Sequence, residues 1–162
     1  MPNSAKLLTV GDDNPETCET MLNDTIWANE FTYKQIQVLA QYFQAFYIEK
    51  NGIIFKEGDP SGELSILTTG KIQIQKNDKA LIVLVKGRSF GEMSLFDTQP
   101  RSADAIALKY CEYLSIDCES FNRLCNEHPV LSLQFVVIIT RIISQRLRKT
   151  SGQLSDYLDQ SD

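Results

Sequence analysis

Phe90-Gly91-Glu92-Met93-Ser94-Leu95, followed after a short gap by Pro100-Arg101-Ser102-Ala103, is the stretch on which the reading of this chain turns. Glu92 and Arg101 stand nine residues apart in it, with turn residues at both ends. Upstream lies the apolar run Leu81-Ile82-Val83-Leu84-Val85, closed by Gly87, and downstream the alternating run Ala105-Ile106-Ala107-Leu108. The expectation is a loop that joins two strands.

A loop that begins at a glycine and makes one helical turn, Glu92 to Phe96, directs its first backbone N–H groups, Met93 and Ser94 included, at whatever lies before it. Arg101 adds a permanent charge on a planar fork of donors suited to phosphate oxygens. The small residues Ser102 and Ala103 let main-chain amides approach as well. Glu92 would repel a phosphate but accepts hydrogen bonds from sugar hydroxyls. Together these groups describe a phosphorylated sugar, although an Arg and a Glu alone also fit a loop salt bridge with Gly91 serving a turn.

The run FGEMSLFDTQPRSADAIA closely resembles the phosphate-binding cassette of the cyclic nucleotide-binding domain, the module of catabolite activator-type regulators, protein kinase A regulatory subunits and cyclic-nucleotide-gated channels. The resemblance implies that Arg101 holds the cyclic phosphate and Glu92 the ribose hydroxyl. Gly91, Met93, Ser94, Ser102 and Ala103 would lend backbone or hydroxyl donors. IIFKEGD and TTGKIQI precede the cassette in the order of that family, so the likeness spans roughly Phe31 to Leu158. One departure is Ser65-Ile66, where many members carry aromatics, and looser packing is expected there.

The totals agree with a globular chain. Its 162 residues suffice for one domain with helical extensions and a sizeable core. With 43% hydrophobic and 23% charged residues and a net charge of −5, neither disorder nor a nucleic-acid partner is the default. Cys18, Cys111, Cys118 and Cys125 show no CxxC spacing and His128 is the single histidine, so no metal site is expected. They read as reduced thiols of a cytoplasmic protein. MPNSAKLLTVGDD lacks the apolar core of a secretory signal, and no uninterrupted apolar run, Phe135 to Ile139 included, approaches a membrane span.

Taken in order, residues 1–28 show no convincing period and are expected to be an arm, poorly ordered or docked through Leu7, Leu8 and Val10. The domain proper is expected at 29–158, with a tail at 159–162. Phe31, Ile36, Leu39, Ala40 and Phe43 form one apolar face of a helix capped by Thr32, and Tyr42, Phe46 and Tyr47 are expected to pack that helix on a sheet. Short strands follow at Ile53–Phe55, Leu64–Leu67, Lys71–Gln75 and Leu81–Val85, and a last one at Cys111–Ile116. The fold expected is mainly β with flanking α-helices, a β-sandwich of jelly-roll type. Asp117 caps a short helix that ends at His128-Pro129.

From Val130 the pattern is helical. Val136, Thr140, Ile143, Leu147, Thr150, Leu154 and Tyr157 alternate by four and three, the seam of a two-stranded coiled coil, which predicts a homodimer. RLRKTSGQL resembles the central helix of the activator family, which implies that Thr150 and Ser151 contact the base. The other reading of the same residues is a helix end capped at Gly152.

The function expected is binding of a cyclic purine nucleotide, cAMP favoured over cGMP, by a regulatory sensor that moves its C-terminal helix. It is expected to have no enzymatic activity, no cofactor and no membrane. No DNA-reading segment is expected after that helix in this sequence, so the chain reads either as a regulatory protein that docks on a protein partner or as a piece of something longer. The alternative is a degenerate, ligand-free scaffold acting by protein contacts. A cupin-type metalloenzyme shares the barrel but needs several histidines.

Overall fold

The computed structural model describes residues 5–7, 15–60, 62–97 and 99–159, without the side chains of Leu7, Pro15 and Ser94. Leu8, Val10 and the last three residues of the expected tail lie outside the described residues. The chain divides into two compact units, residues 1–124 and 125–162.

The first unit holds two antiparallel sheets. Strands β1 (Lys6–Leu7), β2 (Gln44–Ile48), β4 (Glu63–Thr69), β7 (Ser89–Phe90) and β9 (Cys111–Asp117) form one, in the order β1-β2-β9-β4-β7. Strands β3 (Ile53–Phe55), β5 (Lys71–Lys76), β6 (Lys79–Val85) and β8 (Asp104–Ala107) form the other, in the order β3-β8-β5-β6. Alternation decides which side chains meet between the sheets. Ile48, Leu67, Phe90, Cys111 and Tyr113 from the first join Ile72, Leu84, Ala105 and Ala107 from the second in one buried cluster. This is the expected sandwich.

The hairpin β5–β6 turns on Asn77-Asp78, both at positive φ (49° and 59°), the two-residue turn whose twist suits antiparallel strands. Its second strand departs from the buried strand that an apolar run suggests. β6 is a sheet edge, and Leu81, Ile82, Val83 and Val85 are exposed while Leu84 alone is buried. The looser packing expected at Ser65-Ile66 is absent. Both are buried, and Ser65 Oγ lies 3.2 Å from Ser115 Oγ across the strand pair.

Within the stretch expected to be an arm, the structure places β1 on β2, helix α1 (Pro15–Asn23) and a 3-10 turn, Ile26–Asn29. Cys18, Leu22 and Trp27 are buried, and the Trp27 indole N–H donates to the Gly87 carbonyl at 3.0 Å. The next helix, α2 (Tyr33–Ala40), starts at a full capping box: Gln35 N–H donates to Thr32 Oγ1 and Thr32 N–H to Gln35 Oε1. It stops before the aromatics expected to extend its face. Phe46 and Tyr47 belong to β2, where Phe46 stacks on Tyr113 with 5.5 Å between centroids. Aromatic residues suit a pleated surface, and a cross-strand partner decides the matter. Helix α4 (Cys118–Glu127) begins as expected, with Ser120 N–H donating to Asp117 Oδ1 at 2.7 Å.

The second unit is dominated by helix α5 (Pro129–Asp159), with proline at the first helical position, where a missing N–H costs nothing. Gly152 does not end it, which corrects the helix-end reading: the helix continues to Asp159, and nothing crowds the position. Leu131, Phe135, Ile138 and Ile139 form its buried stripe. Of the seam expected from sequence, Thr140, Leu147, Thr150, Leu154 and Tyr157 are exposed and Val136 and Ile143 half-buried. The exposed large apolar positions of α5 are Val130, Leu133, Val137, Leu147, Leu154, Tyr157 and Leu158. Although its uninterrupted apolar run is short, α5 is long and apolar enough as a whole to cross a membrane, a test that core helices of soluble proteins also pass.

Candidate functional site

The site grows from a turn. After β3, Lys56 N–H donates to Asp59 Oδ2 at 2.8 Å and Gly58 takes φ +84°, so the chain reverses tightly. That turn exchanges two main-chain bonds with the cassette: Gly58 N–H to Arg101 O at 2.8 Å, and Arg101 N–H to Asp59 O at 3.0 Å. Asp104 Oδ1 accepts from Glu57 N–H at 2.7 Å, and the Lys76 ammonium reaches Ser102 O at 3.1 Å and Glu57 Oε1 at 2.9 Å. The backbone under Arg101 is therefore fixed from several sides.

Its side chain is fixed as well. Arg101 is 7% exposed, with its guanidinium carbon 4.1 Å from the centre of the Phe55 ring. Its Nη1 donates to the carbonyls of Glu63 at 2.9 Å and Gly91 at 3.0 Å. Burial pushes the guanidinium pKa down, while Glu63, then Asp59 and Glu92, act in the opposite sense. A guanidinium stays charged through any such shift. Arg101 is thus a cation held out of water, seated over the Phe55 ring and with one corner set by two carbonyls.

Gly91 has two reasons to be glycine. Its φ is +73°, and a Cβ there would overlap Arg101 Nη1 and stand 3.1 Å from the Glu63 carbonyl. The expected helical turn forms directly after it as α3 (Glu92–Asp97), which lies against β4. Glu92, 5% exposed, opens this helix. Leu95 is buried beneath it, and Phe96 meets Phe121 edge to face at 5.7 Å.

Gly91, Glu92 and Arg101 are thus brought together, and Ala103, two residues beyond Arg101, is buried. Met93 and Ser102 have exposed side chains. Ser94 lies in α3 with its side chain outside the described residues. Thr150 and Ser151 are adjacent, exposed positions of α5 in the second unit. Sequence reasoning missed Phe55, Glu63 and Tyr113. Tyr113 is buried, which with nearby Glu63 pushes its hydroxyl pKa well up. Phe55 and Glu63 flank the Gly58-Asp59-Pro60 turn, a signal that could have marked them as neighbours of the loop. Besides its charge, Glu63 offers Arg101 a main-chain carbonyl, which no residue-type pattern reveals.

Residues 45–128 match the cyclic nucleotide-binding domain family. The CRP-like cAMP-activated global transcriptional regulator of Mycobacterium tuberculosis is 27% identical over 128 residues, covering 76% of this chain and 55% of that protein. The cyclic AMP receptor protein of Thermus thermophilus is 28% identical over 126 residues, 75% of this chain and 56% of that one. The chain spans about half the length of these curated relatives. In fold it is similar to a cyclic nucleotide-binding domain from Methylobacillus flagellatus, with a TM-score of 0.78 and 21% identity over 92% of this chain and 86% of that one. With the sandwich, the buried Arg101 and Glu92 and the sequence match in agreement, this chain belongs to the cyclic nucleotide-binding domain family.

Proposed function

We propose that this protein binds a cyclic purine nucleotide, cAMP in preference to cGMP, and acts as a regulatory sensor without turning the ligand over. Arg101 takes the cyclic phosphate and Glu92 the ribose hydroxyl. Main-chain or hydroxyl donors of Gly91, Met93, Ser94, Ser102 and Ala103 complete the cradle, and Thr150 and Ser151 meet the base. The observation that carries this reading is Arg101, a cation 7% exposed beside the buried Glu92. Desolvated, pre-oriented charge is what makes an anion site strong. The names of the relatives, cAMP-activated and cyclic AMP receptor, favour cAMP. No resident cofactor or metal is required, and the four free cysteines suit a cytoplasmic setting.

The proposed output is a shift of population in α5, driven by the nucleotide's differential affinity for two helix states. A homodimer through α5 belongs to the same reading. Val130, Leu133, Val137, Thr140, Ser144, Leu147, Ser151, Leu154 and Leu158 alternate by three and four on the side of α5 opposite its buried stripe. Every member but the half-buried Ser144 is exposed. Helix length, about 46 Å at 1.5 Å per residue, is ample for a coiled coil.

The test is calorimetric titration with cAMP and cGMP, with Arg101→Ala as control. Losing one partner of a buried charge contact costs about 2 to 5 kcal/mol, so the variant should bind at least about thirtyfold more weakly. No heat from wild type with either nucleotide, or equal affinity in the variant, would leave the second reading. In that reading Arg101 is a structural bracket between Phe55, Glu63 and Gly91, and the domain is a ligand-free scaffold.

A further inference from the structure

We infer that Phe55 is a positioning residue for the anion site, placed by a β-bulge so that its ring fixes the plane in which Arg101 presents its guanidinium. The inference rests on the nucleotide-binding reading above and names a residue that the cassette does not contain.

The argument begins with register. Ile53 stands opposite Ile106 and Phe55 opposite Ala105, so two steps along β3 match one step along β8. Ile54 is the extra residue of a bulge. In a regular ladder Phe55 would face Asp104 and share the side of the sheet that carries Ile53. The bulge turns it to the side of Ala105, which is fully buried in the core cluster, and Phe55 packs partly buried against that cluster. A bulge increases local twist and interrupts the ladder, a cost that a bland core position does not require.

The ring is itself held. Phe55 lies 6.1 Å from Phe90, Phe90 meets Tyr113 edge to face at 5.8 Å, and Tyr113 stacks on Phe46 at 5.5 Å. This row runs through both sheets and ends at Arg101, 4.1 Å from the Phe55 centroid. A ring face defines a plane, and the Glu63 and Gly91 carbonyls at Nη1 define rotation within it. Two constraints of different kind orient the whole fork. A flexible arginine would lose that freedom on meeting a phosphate, whereas this one has lost it on folding. A leucine in place of Phe55 fills space but offers no face to a cation.

The test uses the full chain and two readouts. The first needs no nucleotide: the side-chain Nε–Hε resonance of Arg101, assigned by its loss in Arg101→Lys, should be shifted upfield by the Phe55 ring current. Phe55→Leu should abolish the shift and Phe55→Tyr keep it. The second is cAMP affinity, expected to fall about tenfold in Phe55→Leu and to stay within about twofold in Phe55→Tyr. In an Arg101→Lys background, where no planar fork exists, Phe55→Leu should cost less than about threefold more.

An unshifted Arg101 resonance in wild type overturns the inference, whether or not the leucine variant folds. So does an equal loss from Phe55→Leu in both backgrounds, which would mark Phe55 as core filling only. If wild type binds neither cAMP nor cGMP, the nucleotide reading fails by itself, and so does the role toward a ligand, while the resonance still decides whether Phe55 seats Arg101.

Discussion

Replacing Gly91 by alanine tests the site and the fold at one atom. The added Cβ has two difficulties that come from different parts of the structure. At φ +73° a non-glycine residue carries a local penalty of about 1 to 2 kcal/mol. The Cβ would also overlap Arg101 Nη1 and stand 3.1 Å from the main-chain carbonyl of Glu63. That carbonyl belongs to β4, which is paired on both sides and cannot retreat, so the guanidinium must move. Displacing it breaks the Nη1 bonds to Glu63 and Gly91 and costs about 1 to 3 kcal/mol more. The sum, about 2 to 5 kcal/mol, corresponds to a fall of several degrees or more in melting temperature for a protein of this size. Urea unfolding with unchanged slope would measure it, and calorimetry on the still-folded variant should show cyclic-nucleotide affinity lost along with the seat of Arg101. A Gly91→Ala protein that melts within about 1 °C of wild type and binds equally well would refute the geometry on which the site is built.

Gly152→Ala should act with the opposite sign, because nothing crowds that position and alanine favours the helix by about 1 kcal/mol. Residues Leu147 to Asp159 are all exposed, so the gain is local: hydrogen exchange in that segment should slow about fivefold while the global melting temperature stays constant. Leu147→Asp puts a charge on an apolar position 66% exposed in the single chain, and sedimentation should show a wild-type dimer reduced to monomer with the sandwich still folded. A wild-type monomer would dispose of the seam. Tyr110 donates to Glu112 at 2.9 Å, and partial desolvation followed by that carboxylate raises its pKa to about 12. A phenol whose folded pKa exceeds the unfolded value near 10 adds stability that is fully present below pH about 10 and disappears as pH rises through about 12. Absorbance titration near 295 nm should therefore lose a late-ionising phenol in Tyr110→Phe.

The cassette was legible because its chemistry is local. Glycine, acid, proline, arginine and small residues at fixed spacing mark the loop, and strand alternation in Lys71-Ile72-Gln73-Ile74-Gln75 marks what lies beside it. Periodicity also gave the capped helix at Thr32 and the helical run after His128. Where two periods compete it failed. Gln44–Ile48 reads equally as the last turn of an aromatic helix, and only Tyr113 on a neighbouring strand, distant in sequence, makes it β2. Pro15–Asn23 has too weak an apolar face to announce α1, whose burial depends on β2 and β9. On α5, a helix rich in Val, Leu and Ile offers several stripes, and only the burial of Leu131, Phe135, Ile138 and Ile139 shows which of them the fold uses.

By itself, then, the sequence determined the family, the sandwich and the identity of the charged pair, because spacing along the chain carries those. Tertiary structure decided how the pair is held. The bulge at Ile54, the ring of Phe55, the main-chain carbonyl of Glu63 and the Gly58–Asp59 turn reach Arg101 from positions about 40 residues away in the chain. Contacts of that separation follow from strand order and register, and main-chain groups look alike in every residue, so no local pattern can encode them.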